Sequence, residues 1–483
     1  IGIALAGGVI FGLPFVITAF TKVNDWRRTI VFAASWTFVL WLREWMLTGF
    51  PWNPIANIAM PWPAFSNSMS LWGALGLTFI IVGLIASVAE IIKGTRIPFY
   101  IFISLLIVGV GYGHWNILQS VEFCKQDCRH PVIRIVQPAG SAEQKATHSR
   151  EQALARAEEN LNKLMELSAG KNYVSSQGAA NAESPGSGRD KGIENIQNNH
   201  NSDFSNADRV PDNFARATQN FRDDTPDIIV WPETAYPYVV VGDNPSSPSF
   251  AEARFPPAKE IGLPVVAGAT LVSNPYSAVR EDTKVYNSMI VSDASGAIQK
   301  IYSKSHLVPF GEYRPFGDII PTPGQLSRGQ GPEIIAVSNE QIANSNFSFV
   351  PAICYEVIFS DSLIPADGKG GMGDGINAII NITNDTWFGR TPGTYQHLDM
   401  ARRQAIETGL PIVRANYSGI SAFIASDGRV VSSLPIGAAG ILDGSVSGAH
   451  ITPYRRIGRD WIMFIILAVS GMAVLLFRQV RRQ

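Results

Sequence analysis

Uncharged apolar runs occupy the two ends of the chain, and charged residues collect between them. A helix that crosses a membrane needs about 20 mostly apolar residues. The runs of roughly this kind are residues 1–20, 29–41 with the aromatic stretch 45–52, 70–92, 97–115 and 461–477. They are apolar on every side, whereas helices of a soluble core keep a polar stripe. The pattern predicts a helical membrane domain in residues 1–120 and a C-terminal transmembrane helix at 461–477.

Basic residues lie on alternate flanks of these segments. They are Lys22, Arg27, Arg28, Lys93, Arg96, Arg478, Arg481 and Arg482. Cytoplasmic flanks carry an excess of Lys and Arg, so these residues define the cytoplasmic side. The aromatic segment 43–70 and the region 119–460 then fall on the opposite side. We therefore expect a soluble domain outside the cytoplasm, and, because the chain starts with Ile1 rather than Met, an incomplete N-terminus.

Residues 131–450 alternate between short β-rich runs and helical stretches, which is typical of a mixed α/β domain. The predicted strands are 132–136, 227–231, 264–269, 288–291, 349–354, 376–382 and 411–415, and the predicted helices are 150–167 and 396–408. Turn residues at 293–296 and 426–428 predict hairpins. Residues 170–207 are rich in Asn, Ser, Gly and Ala, so we expect a disordered insertion there.

Composition narrows the function classes. Charged residues are only 16% of the chain, against roughly 25% in an average soluble domain. The formal net charge of −1 gives no basic field for nucleic acid. Cys124, Cys128 and Cys354 are too few for a disulfide framework and lack metal-ligand spacing, although Cys124 and Cys128 could pair in an oxidising compartment. The glycines of residues 368–373 precede a strand and predict a flexible loop, not a dinucleotide site.

Three predicted strands end in chemically useful residues. Glu233 follows the strand 227–231, Lys304 and Glu312 follow a β-rich run, and Cys354 ends the strand 349–354. Active sites gather at strand ends in α/β folds. A thiol becomes a nucleophile when a base takes its proton and a cation stabilises the developing negative charge. Each residue also has a structural explanation: Cys354 as core filler, Lys304 as a surface charge and Glu233 as a helix cap.

Longer motifs connect these residues to a known family. They are W-P-E-T (231–234), K-S-H-L-V-P-F-G-E-Y (304–313), I-C-Y-E (353–356), N-D-T-W-F-G (384–389), T-G-F-P-W (48–52) and T-P-Y (452–454). In this order they resemble the nitrilase, or carbon-nitrogen hydrolase, superfamily with its Glu-Lys-Cys triad. With the flanking apolar helices, the chain resembles the apolipoprotein N-acyltransferase family over nearly its full length. It departs from that family in residues 136–148, which lack an expected tryptophan, and in the long insertion.

The resemblance implies a fold and a mechanism. The fold would be a multi-pass α-helical membrane domain with a nitrilase-like α-β-β-α sandwich outside the cytoplasm. Glu233 would act as general base towards Cys354, whose thiolate attacks an ester carbonyl of a membrane phospholipid. Lys304 and the backbone N–H of Tyr355 would hold the oxyanion. The thioester acyl-enzyme would then acylate the α-amino group of a diacylglyceryl-cysteine apolipoprotein.

The remaining site residues follow from the same resemblance. Glu312 would orient Lys304 or the intermediate, and Tyr355 and Glu356 would shape the pocket. The aromatic loop with Trp387 and Phe388 would contact lipid. The resemblance implies no cofactor, no metal and no nucleic-acid partner. It implies a monomer in the bacterial inner membrane with a periplasmic catalytic domain.

Two other classes of function use the same features. A membrane-tethered nitrilase-type amidase acting on a small amide or nitrile would share the triad, but it has no need for the aromatic loops or spanning helices. A receptor or transporter would use the outer domain only for binding and would carry charged residues inside its spanning segments. Those charges are nearly absent. His306 and His397 have no partner at metal-ligand spacing, so we expect structural or hydrogen-bonding roles for both.

Overall fold

The computed structural model describes most of the chain outside the long insertion. The described ranges are residues 2–44, 46, 49–126, 131–140, 150–170, 226–242, 254–273, 283–314, 325–337, 347–365 and 375–480. The predicted insertion at 170–207, the glycine loop at 368–373 and Cys128 therefore lie almost wholly outside the described residues, and the side chain of Cys124 does too.

Within these ranges, strands from residue 133 onwards form two sheets. The strands are β1 Ile133–Gln137, β2 Ile228–Val230, β3 Val239–Gly242, β4 Val265–Ser273, β5 Lys284–Ser292, β6 Ile298–Ser303, β7 Ile335–Val337, β8 Phe347–Ile353, β9 Ala378–Thr383, β10 Ile412–Asn416, β11 Ser421–Ile424, β12 Val430–Leu434 and β13 Gly440–Gly444. One sheet has the order β13-β1-β2-β4-β5-β6 with β3 beside β4, and the other has the order β12-β11-β10-β9-β8-β7. The chain thus returns to the first sheet with β13, which pairs antiparallel with β1.

The two sheets pack face to face around an apolar core. Ile135, Val230 and Met289 from the first sheet share this core with Phe349 and Ile380 from the second. Strands β8, β9 and β10 run parallel in the middle of their sheet. Their sequences are mostly apolar because strands covered on both faces have no solvent side.

Some of the α-helices cover the outer faces of the two sheets, and others form the helical region described below. The helices are α1 Gly2–Phe20, α2 Arg27–Arg43, α3 Pro63–Ser66, α4 Met69–Ile92, α5 Ile97–Gln126, α6 Arg150–Ser168, α7 Pro256–Ile261, α8 Ser360–Leu363, α9 Pro392–Thr408, α10 Pro453–Ile457 and α11 Arg459–Val480. α6 and α7 pack on the first sheet, and α9 packs on the second. The α-β-β-α sandwich predicted from the sequence is confirmed.

Local sequence fixes the ends of α9, which carries part of the site. The Thr391 hydroxyl accepts a hydrogen bond from the Gly393 N–H, and Pro392 occupies the first helical turn; both are favoured at helix starts. The helix ends at Gly409, which adopts φ 69°, as glycine does readily. α9 therefore begins four residues before the predicted boundary at 396.

Two helices in the described residues are long and apolar enough to cross a membrane. They are Met69–Ile92 and Ile97–Val121, while Gly7–Phe20 is apolar but shorter. The other predicted segments form α2 and α11, whose role as membrane spans remains a prediction. α1, α2, α4, α5 and α11 pack together as one helical region.

The first junction between the sandwich and the helical region is where the chain enters α11, and there the ends of α11 and α2 are held together. Arg459 at the start of α11 pairs with Glu44, which follows α2, at 2.6 Å. At the other end of the same two helices, the Arg27 guanidinium donates to the Val474 carbonyl. Since Arg27 belongs to the predicted cytoplasmic set, the basic flank and the sandwich lie at opposite ends of these helices.

A kink in α4 provides a second junction. Gly73 has φ 66° inside the helix, and the Tyr454 ring occupies the space where a side chain would extend. The irregular turn frees the Ala74 N–H, which donates to the buried Glu407 carboxylate of α9 at 2.6 Å. A third junction connects α5 to the sandwich, where the Ser120 hydroxyl donates to Asp427.

Six strands were not predicted individually from the sequence. They are β3, β6, β7, β11, β12 and β13. β6, β11 and β12 flank the two predicted hairpins, whose antiparallel pairing is present. β3 and β7 have three or four residues, too short to show a period. β13 is a Gly-bounded run whose partner β1 lies some 300 residues away, so the register comes only from the tertiary fold.

Candidate active site

The three reactive residues predicted at strand ends lie together. Glu233 follows β2, Lys304 follows β6 and Cys354 follows β8. The Lys304 Nζ lies 3.9 Å from the Glu233 Oε1, and both charges act electrostatically on the Cys354 thiol. Two of these strands belong to one sheet and the third to the other, so the face-to-face packing of the sheets brings the groups together.

Cys354 occupies a sharp turn between β8 and a 3-10 helix, Cys354–Ile358. Its φ is 51°, a left-handed conformation that costs a residue with a side chain about 1–3 kcal/mol unless its surroundings hold it. The thiol is partly buried against the core between the sheets. The turn thus places the residue at the junction of the strand and the 3-10 helix.

Glu233 is buried, with 5% of its surface exposed. Its Oε1 accepts a hydrogen bond of 2.7 Å from the Asn287 amide. Its Oε2 has no conventional hydrogen bond among the described residues. Burial raises the pKa of Glu233 above its ordinary value, and the charge of Lys304 offsets this only in part. The Cys354 thiol acts on this carboxyl as a hydrogen-bond donor. A carboxylate with a raised pKa beside a thiol is suited to accept its proton.

Lys304 is held by a second carboxylate. Its Nζ lies 2.7 Å from the Glu312 Oε1, and the Glu312 Oε2 accepts the Val308 N–H at 2.8 Å. Burial acts to lower the pKa of Lys304, but the neighbouring Glu312, Cys354 and Glu233 raise it above its ordinary value. The lysine therefore remains an ammonium. Glu233, Lys304 and Glu312 are called the reactive cluster below.

The electrostatics set the proton positions at rest. Burial and the negative charge of Glu233 raise the pKa of the Cys354 thiol, while Lys304 acts in the opposite direction. The cysteine is therefore a thiol in the resting site, beside a carboxylate able to take its proton as a new bond forms. This arrangement favours general-base attack over a preformed thiolate.

Tyr355 and Glu356 contact different partners. The Glu356 carboxylate is buried and accepts hydrogen bonds from the Tyr302 hydroxyl, the Ser305 N–H and the Ile353 N–H. It thus ties the end of β6, which carries Lys304, to the end of β8. The Tyr355 hydroxyl instead donates to the Gly49 carbonyl of the helical region at 2.7 Å.

The segment Gly49 to Trp52 of the helical region lies beside Cys354. The Phe50 ring stacks on Tyr355 with 6.1 Å between centroids. The Trp52 indole N–H donates to the Gln396 side chain at 2.8 Å. This segment, called the aromatic wall below, therefore closes one side of the site with residues from outside the sandwich.

Trp387 and Phe388 have different environments. Phe388 is partly buried and packs against Trp52 with 5.3 Å between ring centroids. Trp387 is 84% exposed. The sequence treats them as a pair, but the 3-10 helix Asp385–Trp387 ends between them, so one ring extends the aromatic wall while the other projects from the surface.

A second buried charged group lies behind Cys354. The Asp385 Oδ1 lies 2.8 Å from the His397 Nδ1. Its Oδ2 accepts hydrogen bonds from Arg414 at 2.8 Å and from Asn416 at 2.7 Å. Burial opposes ionisation, but His397 and Arg414 hold the pKa of Asp385 below its ordinary value. Asp385, His397 and Arg414 are called the supporting cluster below.

Sequence reasoning missed several residues of this site. Asn287 was not singled out because it lies inside the strand β5 and belongs to no motif. The pairing of β5 with β6 places its carbonyl opposite the Lys304 N–H. Gly268 was missed as well; a Cβ there would lie 2.6 Å from the Cα of Glu233. Arg414 gave the clearest available signal, because a charged residue inside an apolar strand needs a partner.

The histidines follow the sequence expectation of hydrogen-bonding or structural roles. His306 stacks on Phe359 with 4.5 Å between ring centroids, and burial lowers its pKa to about 4. His397 belongs to the supporting cluster. Among the described residues, no group of His, Cys, Asp and Glu could hold a metal ion, and the prediction that no cofactor is needed remains a prediction.

Comparison with known proteins gives the family. Residues 137–456 match the carbon-nitrogen hydrolase family, and residues 1–87 match the apolipoprotein N-acyltransferase N-terminal domain. An apolipoprotein N-acyltransferase of Brucella melitensis biotype 1 is 31% identical over 458 residues, which are 92% of this chain and 72% of that protein. Another from Rhizobium leguminosarum bv. trifolii is 31% identical over 483 residues, 98% of this chain and 78% of that protein.

A CN-hydrolase superfamily protein of known structure, XC1258 from Xanthomonas campestris, covers 66% of this chain and 91% of its own at 14% identity, with a TM-score of 0.36. The sequence matches extend over both the helical region and the sandwich, which no soluble carbon-nitrogen hydrolase would explain. The chain belongs to the apolipoprotein N-acyltransferase family, within the carbon-nitrogen hydrolase superfamily.

Proposed function

We propose that this chain is an N-acyltransferase of lipoprotein maturation. It transfers an acyl chain from a membrane phospholipid to Cys354, and from the resulting thioester to the N-terminal amine of a diacylglyceryl-cysteine apolipoprotein. Family membership supports the overall reaction. The roles of Glu233, Lys304 and Cys354 rest on their geometry.

The aromatic wall is the observation that carries this proposal over the amidase alternative. Tyr355, the residue after the nucleophile, bonds to the Gly49 carbonyl and stacks on Phe50. Residues that follow α2 thus contact the residue next to Cys354. A small soluble amide has no need for such a wall, whereas a lipid ester must reach the thiol from the apolar side.

In the first half-reaction, the Glu233 carboxylate accepts the thiol proton as the Cys354 sulfur attacks the ester carbonyl carbon. The tetrahedral intermediate carries a negative oxygen. Lys304 supplies the positive charge for it, and the Tyr355 N–H supplies a hydrogen bond. Collapse breaks the ester C–O bond, and the leaving alkoxide takes the proton from Glu233. A thioester and a lysophospholipid result.

In the second half-reaction, the neutral α-amino group of the acceptor attacks the thioester carbonyl. Glu233 accepts a proton from the attacking nitrogen, the C–S bond breaks, and the proton returns to the Cys354 sulfur. Glu312 orients Lys304 in both steps through its 2.7 Å contact. Because the lipid-facing site is poor in water, the thioester survives until the amine arrives.

We place the helical region in a bacterial inner membrane, as a multi-pass bundle, with the sandwich in the periplasm. The apolar helices support the membrane location. The position of Arg27 at the end of the bundle opposite the sandwich supports the orientation, since basic flanks stay cytoplasmic. Trp387, exposed beside the aromatic wall, would then touch the outer leaflet, where aromatic residues are common. The chain acts as a monomer.

The purified chain, incubated with acyl-labelled phospholipid, tests the function. We expect a label on Cys354 that hydroxylamine releases, as it does a thioester. A diacylglyceryl-cysteine peptide added next should take up the label at its amine. Hydrolysis of a simple soluble amide, with no label from phospholipid, would instead establish the amidase. The Cys354→Ala variant is the matched control.

A further inference from the structure

The supporting cluster touches the nucleophile from behind. The His397 Nε2 lies 3.3 Å from the main-chain carbonyl oxygen of Cys354. His397 is buried, with 1% of its surface exposed, and no step of the proposed mechanism uses it. The contact is to the backbone, so it bears on the conformation of Cys354 and leaves the thiol free.

Cys354 needs such a contact because its backbone is strained. At φ 51°, a non-glycine residue returns to the extended or right-handed region unless other groups prevent it. The preceding residue is fixed by β8 pairing with β9, and the following residues by the 3-10 helix. The Cys354 carbonyl lies between these two restraints, with its oxygen 3.3 Å from the His397 Nε2.

The rest of the cluster keeps the imidazole in place. The His397 Nδ1 faces Asp385 at 2.8 Å and the Arg414 guanidinium at 3.2 Å. Only the cationic ring, which donates from Nδ1 to the Asp385 Oδ1 and from Nε2 to the Cys354 carbonyl, satisfies both contacts. Arg414 is itself anchored by the Asn381 side chain.

The side of the imidazole that the supporting cluster does not contact is covered by two aromatic rings. The Trp52 ring lies 5.7 Å from the His397 ring, centroid to centroid, and Phe388 lies 6.0 Å from it. His397 is therefore enclosed between the supporting cluster and the aromatic wall, which prevents the ring from turning away from Cys354.

We infer that His397 is a positioning residue, which fixes the nucleophile in its left-handed conformation by donating a hydrogen bond to the Cys354 carbonyl. This inference rests on the proposed role of Cys354 as the nucleophile. Losing the bond lets the turn relax and moves the sulfur away from Glu233 and Lys304. A displacement of about 1 Å at a reacting atom can cost about a hundredfold in rate.

Three substitutions at one position separate the hydrogen bond from packing. His397→Gln places an amide N–H where the Nε2–H was. His397→Asn carries the same group on a shorter side chain that does not reach the carbonyl. His397→Leu removes the donor entirely. His450→Leu is the matched control, because His450 also bonds through both nitrogens, but to Gly448 and Asn116.

Two rates are measured for each variant: acyl-enzyme formation from labelled phospholipid, as kcat and KM, and alkylation of Cys354 by iodoacetamide. We expect His397→Leu and His397→Asn to lower kcat about a hundredfold with little change in KM, and to slow alkylation at least tenfold. His397→Gln should recover most of both rates, and His450→Leu should keep both. The melting temperature is recorded for each variant.

Wild-type rates in His397→Asn, or equal losses in His397→Asn and His397→Gln, would overturn the inference. The Asn and Gln variants decide it even if His397→Leu does not fold. The alkylation series needs no acyl donor. If the wild-type chain forms no acyl-enzyme, the proposed function fails, while the alkylation rates still test the positioning role.

Discussion

The reactive and supporting clusters lie on two sides of Cys354 and differ in how fully the oxygens of Glu233 and Asp385 are paired. In the reactive cluster, the Glu233 Oε2 lacks a conventional hydrogen bond, and burial raises the pKa of this carboxyl. In the supporting cluster, both oxygens of Asp385 are bound, and its pKa is lowered. An underused carboxylate can accept a proton during a reaction, whereas a saturated one can only hold its neighbours.

The same comparison separates the two cations. Lys304 keeps a compact ammonium between Glu312 and Glu233, 2.7 and 3.9 Å from them. Arg414 is fully buried, and its guanidinium bonds Asn381 and Asp385. The ammonium can reorient towards a new negative charge, while the planar guanidinium is committed to fixed partners.

The largest expected effect is the loss of the thiol. Cys354→Ala should abolish acyl-enzyme formation and transfer, because no group of the reactive cluster can form a thioester. The melting temperature should stay close to that of the wild type, since the side chain is only partly buried. Retention of the hydroxylamine-sensitive label in this variant would contradict the assignment of the nucleophile.

Asp385→Asn and Glu233→Gln should change stability in opposite directions. Asp385→Asn leaves Arg414 buried without its carboxylate, which costs about 3–5 kcal/mol. Glu233→Gln should leave the melting temperature equal or raise it. A raised pKa means that burial destabilises the ionised carboxyl, and Lys304 retains its ion pair with Glu312 in the variant. Thermal unfolding in detergent micelles measures both. Equal destabilisation by the two variants would remove the distinction between the clusters.

Acid should act on the two carboxyls with opposite sign. The ionised Asp385 has a lowered pKa, so its contribution to stability is present above its unfolded pKa and is lost as the pH falls through the folded value. The pKa of Glu233 is raised in the folded state, so its ionisation lowers the free energy of unfolding as the pH rises from the unfolded to the folded pKa. Melting temperatures of the wild type and each variant across a pH series should show these two slopes.

Lys304→Arg tests the geometry of the oxyanion cation. The charge remains, but the larger planar group cannot occupy the same position. We expect a loss of about a hundredfold or more in the rate of acyl-enzyme formation, comparable with removal of one oxyanion donor. Single-turnover labelling measures it, and a near-normal rate would reduce Lys304 to a structural charge.

The rate of acyl-enzyme formation should also fall as the pH falls through the raised pKa of Glu233, because the protonated carboxyl cannot accept the thiol proton. Asp385, with a lowered pKa, should not contribute to this part of the profile. A pH profile of single-turnover labelling measures the dependence. An acid limb that persists unchanged in Glu233→Gln would assign it to another group.

The smallest effect concerns the exposed ring beside the aromatic wall. Trp387→Ala should leave the melting temperature nearly unchanged because the side chain is 84% exposed. It should slow acylation by long-chain phospholipid more than acylation by a short-chain soluble ester. Phe388→Ala, which removes a ring packed on Trp52, should lower the melting temperature and affect both substrates. Equal behaviour of the two variants would contradict the separation of these rings.

Local features predicted the strands and the positions of Glu233, Lys304 and Cys354 at strand ends, while the sandwich was implied by the family resemblance. A buried strand is an apolar run, and Glu233, Lys304 and Cys354 each end one. The supporting cluster could not be predicted in this way. Asp385 appears as part of a loop motif, His397 as one polar residue on a helix, and Arg414 as an interruption in a strand. Only the packing of α9 on the sheet brings them together.

The aromatic wall illustrates a second limit. Its residues precede Cys354 by some 300 positions, and nothing in their own pattern says which part of the sandwich they meet. The sequence identified them as interfacial aromatics, which set their general location. The contacts of Trp52 with His397 and of Gly49 with Tyr355 depend on how the helical region docks. Docking depends on contacts such as that of the Ala74 N–H with the Glu407 carboxylate.

The close approach at Gly268 has a consequence for reading mutational scans. A methyl group at this position would press on the backbone of Glu233, so Gly268→Ala should inactivate the chain although glycine carries no reacting group. A scan scored by activity alone would place Gly268 beside Cys354 in importance. Iodoacetamide labelling mapped to the peptide that contains position 354 would tell them apart, because the Gly268 variant keeps Cys354 to label and the Cys354 variant does not.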